Sequence, residues 1–239
     1  MITMTFASSV ESRARLKNSQ AVRDFLYDDP FRRLQSRMQR PVIHKCRGSY
    51  LFFEGDRADD FYFIRKGKIK LQKTTSDGRE IIYAIINEGD LIGEYYGETD
   101  GSYSYGAVAL EKVEALVISA ASLEDLMRES GEFAVEFSKW IGRKQYLYQK
   151  RCRDLLLFGK KEALASVLLE LDASFGIPCP EGRRLSVRLT NTEIGALIGL
   201  TRESVNRFLN SWKQEDVIDF KENHIVIKNI RNLQALVSK

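Results

Sequence analysis

The stretch Thr190-Asn-Thr-Glu-Ile-Gly-Ala-Leu-Ile-Gly-Leu-Thr-Arg-Glu-Ser-Val-Asn-Arg-Phe-Leu209 predicts two short helices separated by a tight turn. Thr190 can cap the first helix, and Glu193, three residues later, completes a capping box. Gly195 is small where a second helix would cross closely, and Gly199 lies where the chain must turn sharply. Two helices joined by a short turn that contains glycine are typical of a helix-turn-helix.

The second predicted helix has one apolar and one polar face. Thr201 can cap this helix. Its apolar positions step by four and three residues and are Val205, Leu209 and Trp212. The opposite face carries the side chains that we predict to contact bases, which are Arg202, Glu203, Asn206 and Arg207. Arginine matches the two acceptors of guanine, and glutamate can accept from cytosine N4. The pattern therefore predicts a helix that enters the major groove; the alternative is a helical hairpin with a charged face in solvent.

A β-hairpin is predicted after the second helix, because residues 219–228 have the pattern of two strands around Glu222 and Asn223. A hairpin in this place is the wing of a winged helix. Hydroxyl groups, lysines and helix N-termini in this region are suited to phosphate. The predicted phosphate contacts are Thr190, Thr192, Thr201, Lys221 and Lys228, with His224 as a further candidate. A solvated hairpin without DNA contacts is the alternative for the wing.

Residues 131–157 have the period of one long helix. One stripe along it steps by three or four residues through Ala134, Phe137, Ile141, Lys144, Tyr148, Arg151 and Leu155. Such a stripe can form the seam of a helical dimer. The predicted dimer contacts are Phe137, Ile141, Tyr148 and Leu155. The alternative is that the helix packs on its own domain, because the stripe also contains charged residues.

Shorter elements flank the long helix. A separate first turn is predicted with Ser122 as its N-cap. After the long helix, the pattern predicts a helix over residues 160–175, a loop over residues 176–182 and a short strand over residues 185–189.

The region from Pro41 to Ser119 has the pattern of a β domain. Short runs rich in Tyr, Phe, Ile and Val alternate with glycine turns, which indicates an all-β sandwich or barrel. Residues 22–38 have a weak helical pattern. Residues 1–21 are polar without a clear period, and we interpret them as a loose extension.

Charge is distributed unevenly along the 239 residues, although the formal net charge is only +4. Residues 80–127 contain ten acidic residues and one basic residue, whereas residues 139–161 contain eight basic residues and one acidic residue. Residues 183–239 contain ten basic and six acidic residues. A basic C-terminal half favours a polyanion as its partner, and solvated helix faces are the alternative.

Composition and motifs exclude several classes of protein. Hydrophobic residues make up 44% and charged residues 29% of the chain, as in globular proteins. No apolar run approaches the roughly 18 residues of a membrane span, and the signal-peptide pattern is missing. The three cysteines are sparse, so we expect a cytoplasmic protein without a membrane partner. The sequence lacks a nucleophile triad, metal-ligand spacing and a phosphate-cradling glycine loop, so we predict no catalytic residues and no metal site.

Together these motifs resemble the Crp/Fnr family of bacterial transcription regulators. The resemblance rests on the helix-turn-helix, the long helix, the strand pair of residues 61–71, and the turns Phe53-Glu-Gly-Asp56 and Asp90-Leu-Ile-Gly-Glu94. It covers residues 30–239. Residues 153–161 and 202–207 look closest to Fnr-type members of Gram-positive bacilli.

The resemblance implies an α+β fold in three parts. Residues 22–130 would form a β-roll sensor domain of the cyclic-nucleotide-binding type. Residues 131–157 would form a dimerisation helix, and residues 158–239 a winged helix-turn-helix that binds DNA.

The resemblance also implies a homodimer that binds promoter DNA and acts with RNA polymerase. Crp-like readers with the same Arg-Glu-x-x-x-Arg spacing imply a TGTGA half-site, paired with TCACA across about six bases. By resemblance, Arg202, Glu203 and Arg207 occupy base-reading positions, and Asn206 lies where some members touch a base. A regulatory subunit that uses its β-roll to bind another protein is the alternative, but such a subunit needs no base-reading helix.

The effector differs between members of the family, and this sequence matches the cyclic-AMP cassette only in part. Cyclic-AMP-binding members use Gly-Glu followed about ten residues later by Arg-Ser. Gly93 and Glu94 match the start of this cassette, but Ser104 and Tyr105 stand where Arg and Ser are required. A cyclic phosphate needs a cationic partner, best a guanidinium, so we expect no cyclic nucleotide. The possible effector pocket is instead lined by Gly93, Glu94, Tyr95, Tyr103 and Tyr105.

Other cofactors are also disfavoured. An iron–sulfur cluster takes four cysteine thiolates, and the chain has three without a close pair. Haem would need an axial ligand, and the two histidines are His44 and His224. Cys152 lies beside basic residues that would lower its pKa, so redox sensing is an alternative to an inert thiol. An organic ligand, a protein partner or no effector remain open.

Overall fold

The computed structural model describes residues 41–96, 101–157 and 159–237, without the side chains of residues 155–157. The predicted extension over residues 1–21 and the weak helical pattern over residues 22–38 lie outside the described residues. Within them, a β-roll is followed by helices and a winged helix-turn-helix, so the expected α+β fold is confirmed.

The β-roll consists of two antiparallel sheets. Its strands are β1 (Val42–Lys45), β2 (Tyr50–Phe52), β3 (Asp60–Lys66), β4 (Ile69–Thr74), β5 (Glu80–Ile86), β6 (Leu91–Ile92), β7 (Gly106–Ala109) and β8 (Val113–Ser119). One sheet has the order β1-β8-β3-β6, and the other has the order β2-β7-β4-β5. The aromatic and β-branched residues that predicted strands now line the core, where Phe61, Ile64 and Ile69 are fully buried.

Gly67 makes the turn between β3 and β4 possible. Its φ is +93°, in the left-handed region that favours glycine. A Cβ at this position would lie 2.4 Å from the carbonyl oxygen of Lys112. The glycine therefore allows β3 and β4 to turn against the segment that leads into β8.

Three helices follow the β-roll, α1 (Ala120–Glu129), α2 (Gly131–Leu157) and α3 (Lys160–Phe175). The predicted N-cap of α1 is wrong by one turn. Ser119, and not Ser122, is the cap, and its hydroxyl accepts a hydrogen bond from the Ser122 amide at 3.2 Å. The last residue of β8 thus caps the helix that follows, which a sequence pattern centred on Ser122 could not reveal.

The C-terminal region combines helices with a four-stranded sheet. Its elements are β9 (Gly176–Cys179), β10 (Gly182–Leu185), α4 (Asn191–Ala196), α5 (Arg202–Gln214), β11 (Ile218–Lys221), β12 (His224–Ile227) and α6 (Ile230–Val237). The sheet order is β11-β12-β10-β9. Trp212, Val205 and Leu209 from α5 are buried in its core, as their spacing predicts.

Two local predictions in this region need correction. Residues 176–182 are not only a loop, because Gly176–Cys179 pairs with Gly182–Leu185 as an antiparallel hairpin. The predicted strand over residues 185–189 ends at Leu185. Beyond it, the Ser186 amide donates to the Phe175 carbonyl, and Val187 is buried. The alternation of apolar residues there therefore reflects burial on the core and not strand pairing.

The C-terminal region docks on the β-roll through β4 and β5. Ile82 of β5 is 2% exposed and lies in the same hydrophobic cluster as the core of the C-terminal region. The Lys70 ammonium of β4 lies 2.6 Å from the Glu80 carboxylate and 3.3 Å from the Glu193 carboxylate of α4. An apolar contact and an ion pair together position α4 against the β2-β7-β4-β5 sheet.

Candidate DNA-binding surface

Thr190 and Glu193 form the capping box that the sequence predicts. The Thr190 hydroxyl accepts from the Glu193 amide at 3.1 Å, and the Thr190 amide donates to the Glu193 carboxylate at 2.8 Å. Burial alone would raise the pKa of Glu193, but hydrogen bonds from Thr190 and the charge of Lys70 lower that pKa below its usual value. The carboxylate stays ionised and holds the N-terminus of α4 in place.

Two glycines shape the turn between α4 and α5. A Cβ at Gly195 would lie 2.3 Å from the Leu200 carbonyl oxygen and 3.5 Å from Val205, so the turn and α5 require glycine there. Gly199 has a φ of +66°. The predicted reasons for both glycines are confirmed, and they set the crossing of the two helices.

Helix α5 presents its polar face to solvent. Thr201 caps it by accepting from the Ser204 amide at 3.3 Å. The four side chains predicted to contact bases are all exposed on this face: Arg202, Glu203, Asn206 and Arg207. The Arg207 guanidinium lies 5.1 Å from the centre of the Phe208 ring, a cation–π distance that helps to hold its side chain. The structure thus gathers these four residues on one exposed surface, and their contacts with bases stay a prediction.

A side-chain contact joins the two helices at this surface. The Asn191 side-chain nitrogen donates to the Asn206 side-chain oxygen at 3.2 Å. Asn191 is the first residue of α4, directly after the capping threonine. Sequence reasoning missed this residue, because it lies outside the polar face of α5 that pointed to base contacts.

The wing consists of β11 and β12, joined by the predicted turn. Glu222 and Asn223 have φ values of +49° and +62°, as a two-residue hairpin turn of type I′ requires. Both wing lysines are in ion pairs, Lys221 with Glu181 and Lys228 with Asp216. Phosphate would therefore compete with a carboxylate for each lysine.

Arg188 is a basic residue of this surface that the sequence analysis did not select. Its guanidinium donates to the Glu222 carbonyl at 2.8 Å and to the His224 ring at 3.2 Å. It is exposed and connects the segment before α4 to the tip of the wing. Arg188 lies in the stretch predicted to be a strand, residues 185–189, and a strand assignment did not indicate a DNA-facing side chain there.

The predicted threonine contacts fall into two kinds. The hydroxyls of Thr190 and Thr201 are engaged in helix caps, whereas Thr192 is exposed on the first turn of α4. These residues stay predicted phosphate contacts.

The residues of the possible effector pocket lie in and around the β-roll core. Tyr103 and Tyr105 are buried, and burial raises the pKa of both phenols. Tyr103 stacks on Phe52 with ring centres 3.7 Å apart. A Cβ at Gly93 would lie 2.6 Å from the Phe61 ring, so the glycine serves a close contact in the core.

Glu94 and Tyr95 are nearer the surface. The Glu94 carboxylate accepts two hydrogen bonds from Ser104, one from its amide and one from its hydroxyl, both at 2.5 Å. The Tyr95 hydroxyl donates to the Glu124 carboxylate at 3.0 Å. Where the cyclic-AMP cassette needs an arginine, this protein therefore has a serine that hydrogen-bonds to Glu94, the glutamate that matches the start of the cassette.

A separate cleft lies between the end of β5, helix α2 and helix α3. Its lining includes Tyr83, Trp140, Arg143, Lys144, Tyr148 and Arg151. Lys144 lies 2.5 Å from the Asp90 carboxylate, and Arg151 lies 2.5 Å from the Glu170 carboxylate. None of the five predicted pocket residues lines this cleft, but the two adjoin, because the Tyr105 ring lies 5.9 Å from the Tyr83 ring of the lining; the sequence did not indicate the cleft.

Helix α2 corrects part of the predicted dimer seam. Phe137 is 3% exposed and packs against Phe61 and Trp140 of its own chain, so it offers almost no surface to a partner. Ile141 and Tyr148 are exposed. The side chain of Leu155 lies outside the described residues. The predicted stripe therefore mixes the face that packs on the β-roll with the face that points to solvent.

Candidate metal sites and membrane-spanning helices are absent from the described residues. Over residues 41–96, 101–157 and 159–237, no group of three or more His, Cys, Asp or Glu side chains could hold a metal ion. None of the helices in the described part of the chain has the length and apolar character of a membrane span. Cys46 and Cys152 are exposed free thiols.

Comparison with known proteins agrees with both halves of the fold. Residues 42–130 match the family model of the cyclic nucleotide-binding domain, and residues 162–236 match that of the Crp-like helix-turn-helix domain. The chain is 34% identical over 210 residues to the anaerobic regulatory protein of Bacillus subtilis (strain 168), with 87% of each chain covered.

More distant relatives share the same architecture. The chain is 26% identical over 187 residues to the CRP-like cAMP-activated global transcriptional regulator of Mycobacterium tuberculosis (strain ATCC 25618 / H37Rv), covering 78% of this chain and 84% of the relative. The structure of FixK2 from Bradyrhizobium japonicum has a TM-score of 0.75 at 22% identity, covers 84% of this chain and 99% of its own, and shows the shared fold. The protein therefore belongs to the Crp/Fnr family and is a transcription regulator of that type, with a helix-turn-helix DNA-binding domain.

Proposed function

We propose that the protein is a cytoplasmic homodimer that binds an inverted repeat resembling TGTGA-N6-TCACA in promoter DNA and acts with RNA polymerase. The observation that carries this proposal is the exposed face of α5, which presents Arg202, Glu203 and Arg207 together. Each arginine can donate two hydrogen bonds to a guanine, and the glutamate can accept from cytosine N4 on the other strand. No catalytic activity is part of the proposal.

Dimer geometry explains why the site should be a repeat. A two-fold dimer places two copies of α5 in successive major grooves, about 34 Å apart, which is about one turn of DNA. Each protomer then contacts the same base sequence, one on each strand, so the site has dyad symmetry.

In vitro selection from random duplexes is the test of the operator. We expect enrichment of an inverted repeat with guanines in each half-site and about six unspecified base pairs between the halves. A motif without dyad symmetry would refute the proposal that the protein binds DNA as a two-fold dimer. A symmetric motif without guanines in the half-site would refute the assignment of the two arginines and leave the helix-turn-helix intact.

We further propose that cyclic AMP does not control this regulator. Ser104 and Tyr105 occupy the positions of the phosphate partners, and Ser104 already bonds to Glu94. A phosphate placed there would meet a carboxylate without a guanidinium to offset its charge. Titration calorimetry with millimolar cyclic AMP is expected to give no saturable heat.

The control for the ligand experiment is an authentic cyclic-AMP-dependent regulator of the same family under the same conditions. DNA binding by the present protein should be equal with and without the nucleotide. Micromolar affinity, or DNA binding that requires cyclic AMP, would contradict the proposal. An iron–sulfur cluster is likewise not proposed, because three cysteines are fewer than the four that it takes. Haem is not proposed either, because His44 is exposed on β1 and the ring of His224, in the wing, contacts the Leu185 carbonyl.

A small organic ligand is the second candidate for control of the β-roll. The observation that favours it is the cleft between β5, α2 and α3, which adjoins both the sensor sheet and the long helix. Redox control through Cys152 is an alternative, because that thiol is exposed on α2. Mass spectrometry of the native protein and of the small molecules that co-purify with it distinguishes the two: a bound organic compound supports the first, and a protein mass or peptide with oxidised Cys152 supports the second.

A further inference from the structure

We infer that Asn191 is a positioning residue for DNA recognition, which orients the Asn206 amide and thereby determines which base edge Asn206 can read. This inference rests on the proposed function, because it assumes that α5 lies in the major groove. It assigns a specificity role to a residue of the first helix, outside the helix that contacts bases.

The contact itself is between two amides. The Asn191 side-chain nitrogen donates to the Asn206 side-chain oxygen at 3.2 Å. The Asn206 side chain is exposed on the polar face of α5, and Asn191 is half-buried beside it. An isolated exposed amide would rotate freely, whereas in this arrangement Asn191 engages the Asn206 oxygen and leaves the Asn206 nitrogen available to another acceptor.

The backbone on each side of the contact is fixed. Asn191 follows the Thr190 cap, and the capping box holds the first turn of α4. Asn206 follows Val205, which is fully buried, and a Cβ at Gly195 of α4 would lie only 3.5 Å from that valine. The two side chains therefore meet on a rigid frame and not on a loop.

The orientation of the amide decides its chemistry. A carboxamide carries one acceptor oxygen and a nitrogen with two donors. Because the Asn206 oxygen faces Asn191, its nitrogen faces away and offers donors to the groove. Such a group suits base edges that accept, which are guanine N7 and O6, adenine N7 and thymine O4. It does not suit the amino groups of adenine or cytosine, which need an acceptor.

Two substitutions separate orientation from simple packing. Asn191→Ala removes the partner, so the Asn206 amide can turn and read either kind of edge. Asn191→Asp replaces the donor by an acceptor, so the Asn206 nitrogen should turn toward the new carboxylate and present its oxygen to DNA. An acidic residue is also favourable in the first turn of a helix, so we expect Asn191→Asp to fold normally.

Matched controls come from the neighbouring Thr192, which is exposed on the same turn of α4. Thr192→Ala and Thr192→Asp repeat the change of size and charge one residue away. We expect both controls to weaken binding to all sequences by a similar factor, as loss of a phosphate contact or added negative charge would, without a change of motif.

The experiment is in vitro selection with the wild-type protein, these four variants, Asn206→Ala and the double variant Asn191→Ala/Asn206→Ala, scored position by position in the half-site. At one position of each half-site, we expect a wild-type preference of about tenfold for an accepting edge. Asn191→Ala should reduce that preference to less than about threefold, and Asn191→Asp should reverse it toward cytosine or adenine amino groups. Asn206→Ala should remove the preference, and adding Asn191→Ala to it should change nothing more.

The outcomes separate this inference from the proposed function. If the wild-type protein enriches no symmetric motif, the proposed function fails, and this inference fails with it. If the wild-type motif is symmetric but both Asn191 variants keep identical base preferences at every position, only the positioning role is refuted. Relaxation by Asn191→Ala without the reversal by Asn191→Asp also refutes the role in amide orientation.

Discussion

Replacing Arg207 by alanine is expected to weaken binding to the inverted repeat by about 2–6 kcal/mol, because about 1–3 kcal/mol is lost at each of two half-sites. This corresponds to a loss of about 30-fold to about 10⁴-fold in affinity. The physical reason is that the guanidinium lies on the exposed face of α5, oriented beside the Phe208 ring, where it can donate to a guanine. Fluorescence anisotropy with a labelled operator measures the effect, and preference at that guanine should relax. Arg202→Ala should have an effect of the same order.

The wing lysines provide the control for the arginine substitutions. Lys221→Ala and Lys228→Ala should weaken binding to operator and scrambled duplex by similar factors and reduce the salt slope by about one. Since Lys221 is paired with Glu181 and Lys228 with Asp216, part of each positive charge is already neutralised. If Arg207→Ala weakened operator and scrambled DNA equally, Arg207 would be a phosphate contact and not a reader of bases.

Local patterns predicted the helix-turn-helix well because its signals lie close together in the chain. The capping box joins residues three apart, and the apolar positions of α5 lie within two turns. Each of these features depends mainly on neighbours in sequence, such as the contact of Glu193 with the Thr190 amide. Short-range chemistry of this kind can be inferred from residue order alone.

Contacts between distant segments could not be predicted in the same way. The Lys70–Glu193 contact joins residues 123 positions apart, and it forms only when the C-terminal region docks on the β-roll. The sequence therefore reveals the role of Glu193 in the cap but not its second role, as the partner of a β-roll lysine. The same holds for the cleft beside Arg143, which depends on how α2 and α3 meet the β-roll.

The sequence pattern of α2 could not show which of its faces packs on the β-roll. The helix has two apolar faces, one packed on its own β-roll through Phe133, Phe137 and Trp140, and one exposed that includes Ile141 and Tyr148. A period of three to four residues fits a path through either face, so the pattern that predicted the seam crossed from one face to the other. Burial in the folded chain distinguishes the face that packs on the β-roll from the face that is exposed.

Burial therefore redefines the expected seam. Its positions step by four and three residues along the exposed face and are Ala134, Ser138, Ile141, Gln145, Tyr148 and Cys152. In a parallel pair of helices, this spacing brings equivalent positions of the two protomers together at the axis. We expect Cys152 of one protomer to face Cys152 of its partner, close enough for a disulfide, which requires Cα atoms within about 7 Å.

Replacing Ile141 by aspartate is expected to convert the dimer to a monomer. Two carboxylates would then face each other across the axis, where like charges repel and an unpaired buried charge costs several kcal/mol. Sedimentation velocity at micromolar concentration should show a dimer for the wild type and a monomer for the variant, and operator binding should fall accordingly. Tyr146→Asp is the matched control, because Tyr146 is also exposed on α2 but points away from the seam, and it should leave the dimer intact.

Oxidative cross-linking tests the same seam without disrupting it. A mild oxidant should link wild-type protomers into a covalent dimer, and Cys152→Ser should prevent the link while Cys46→Ser should not. Ile141→Asp should also lose the cross-link, because separated protomers no longer hold two Cys152 thiols together.

A wild-type monomer, or an Ile141→Asp dimer as stable as the wild type, would place the interface elsewhere. A stable dimer that never cross-links through Cys152 would instead show that the helices meet in another register, so the two measurements together determine both the partner face and its alignment.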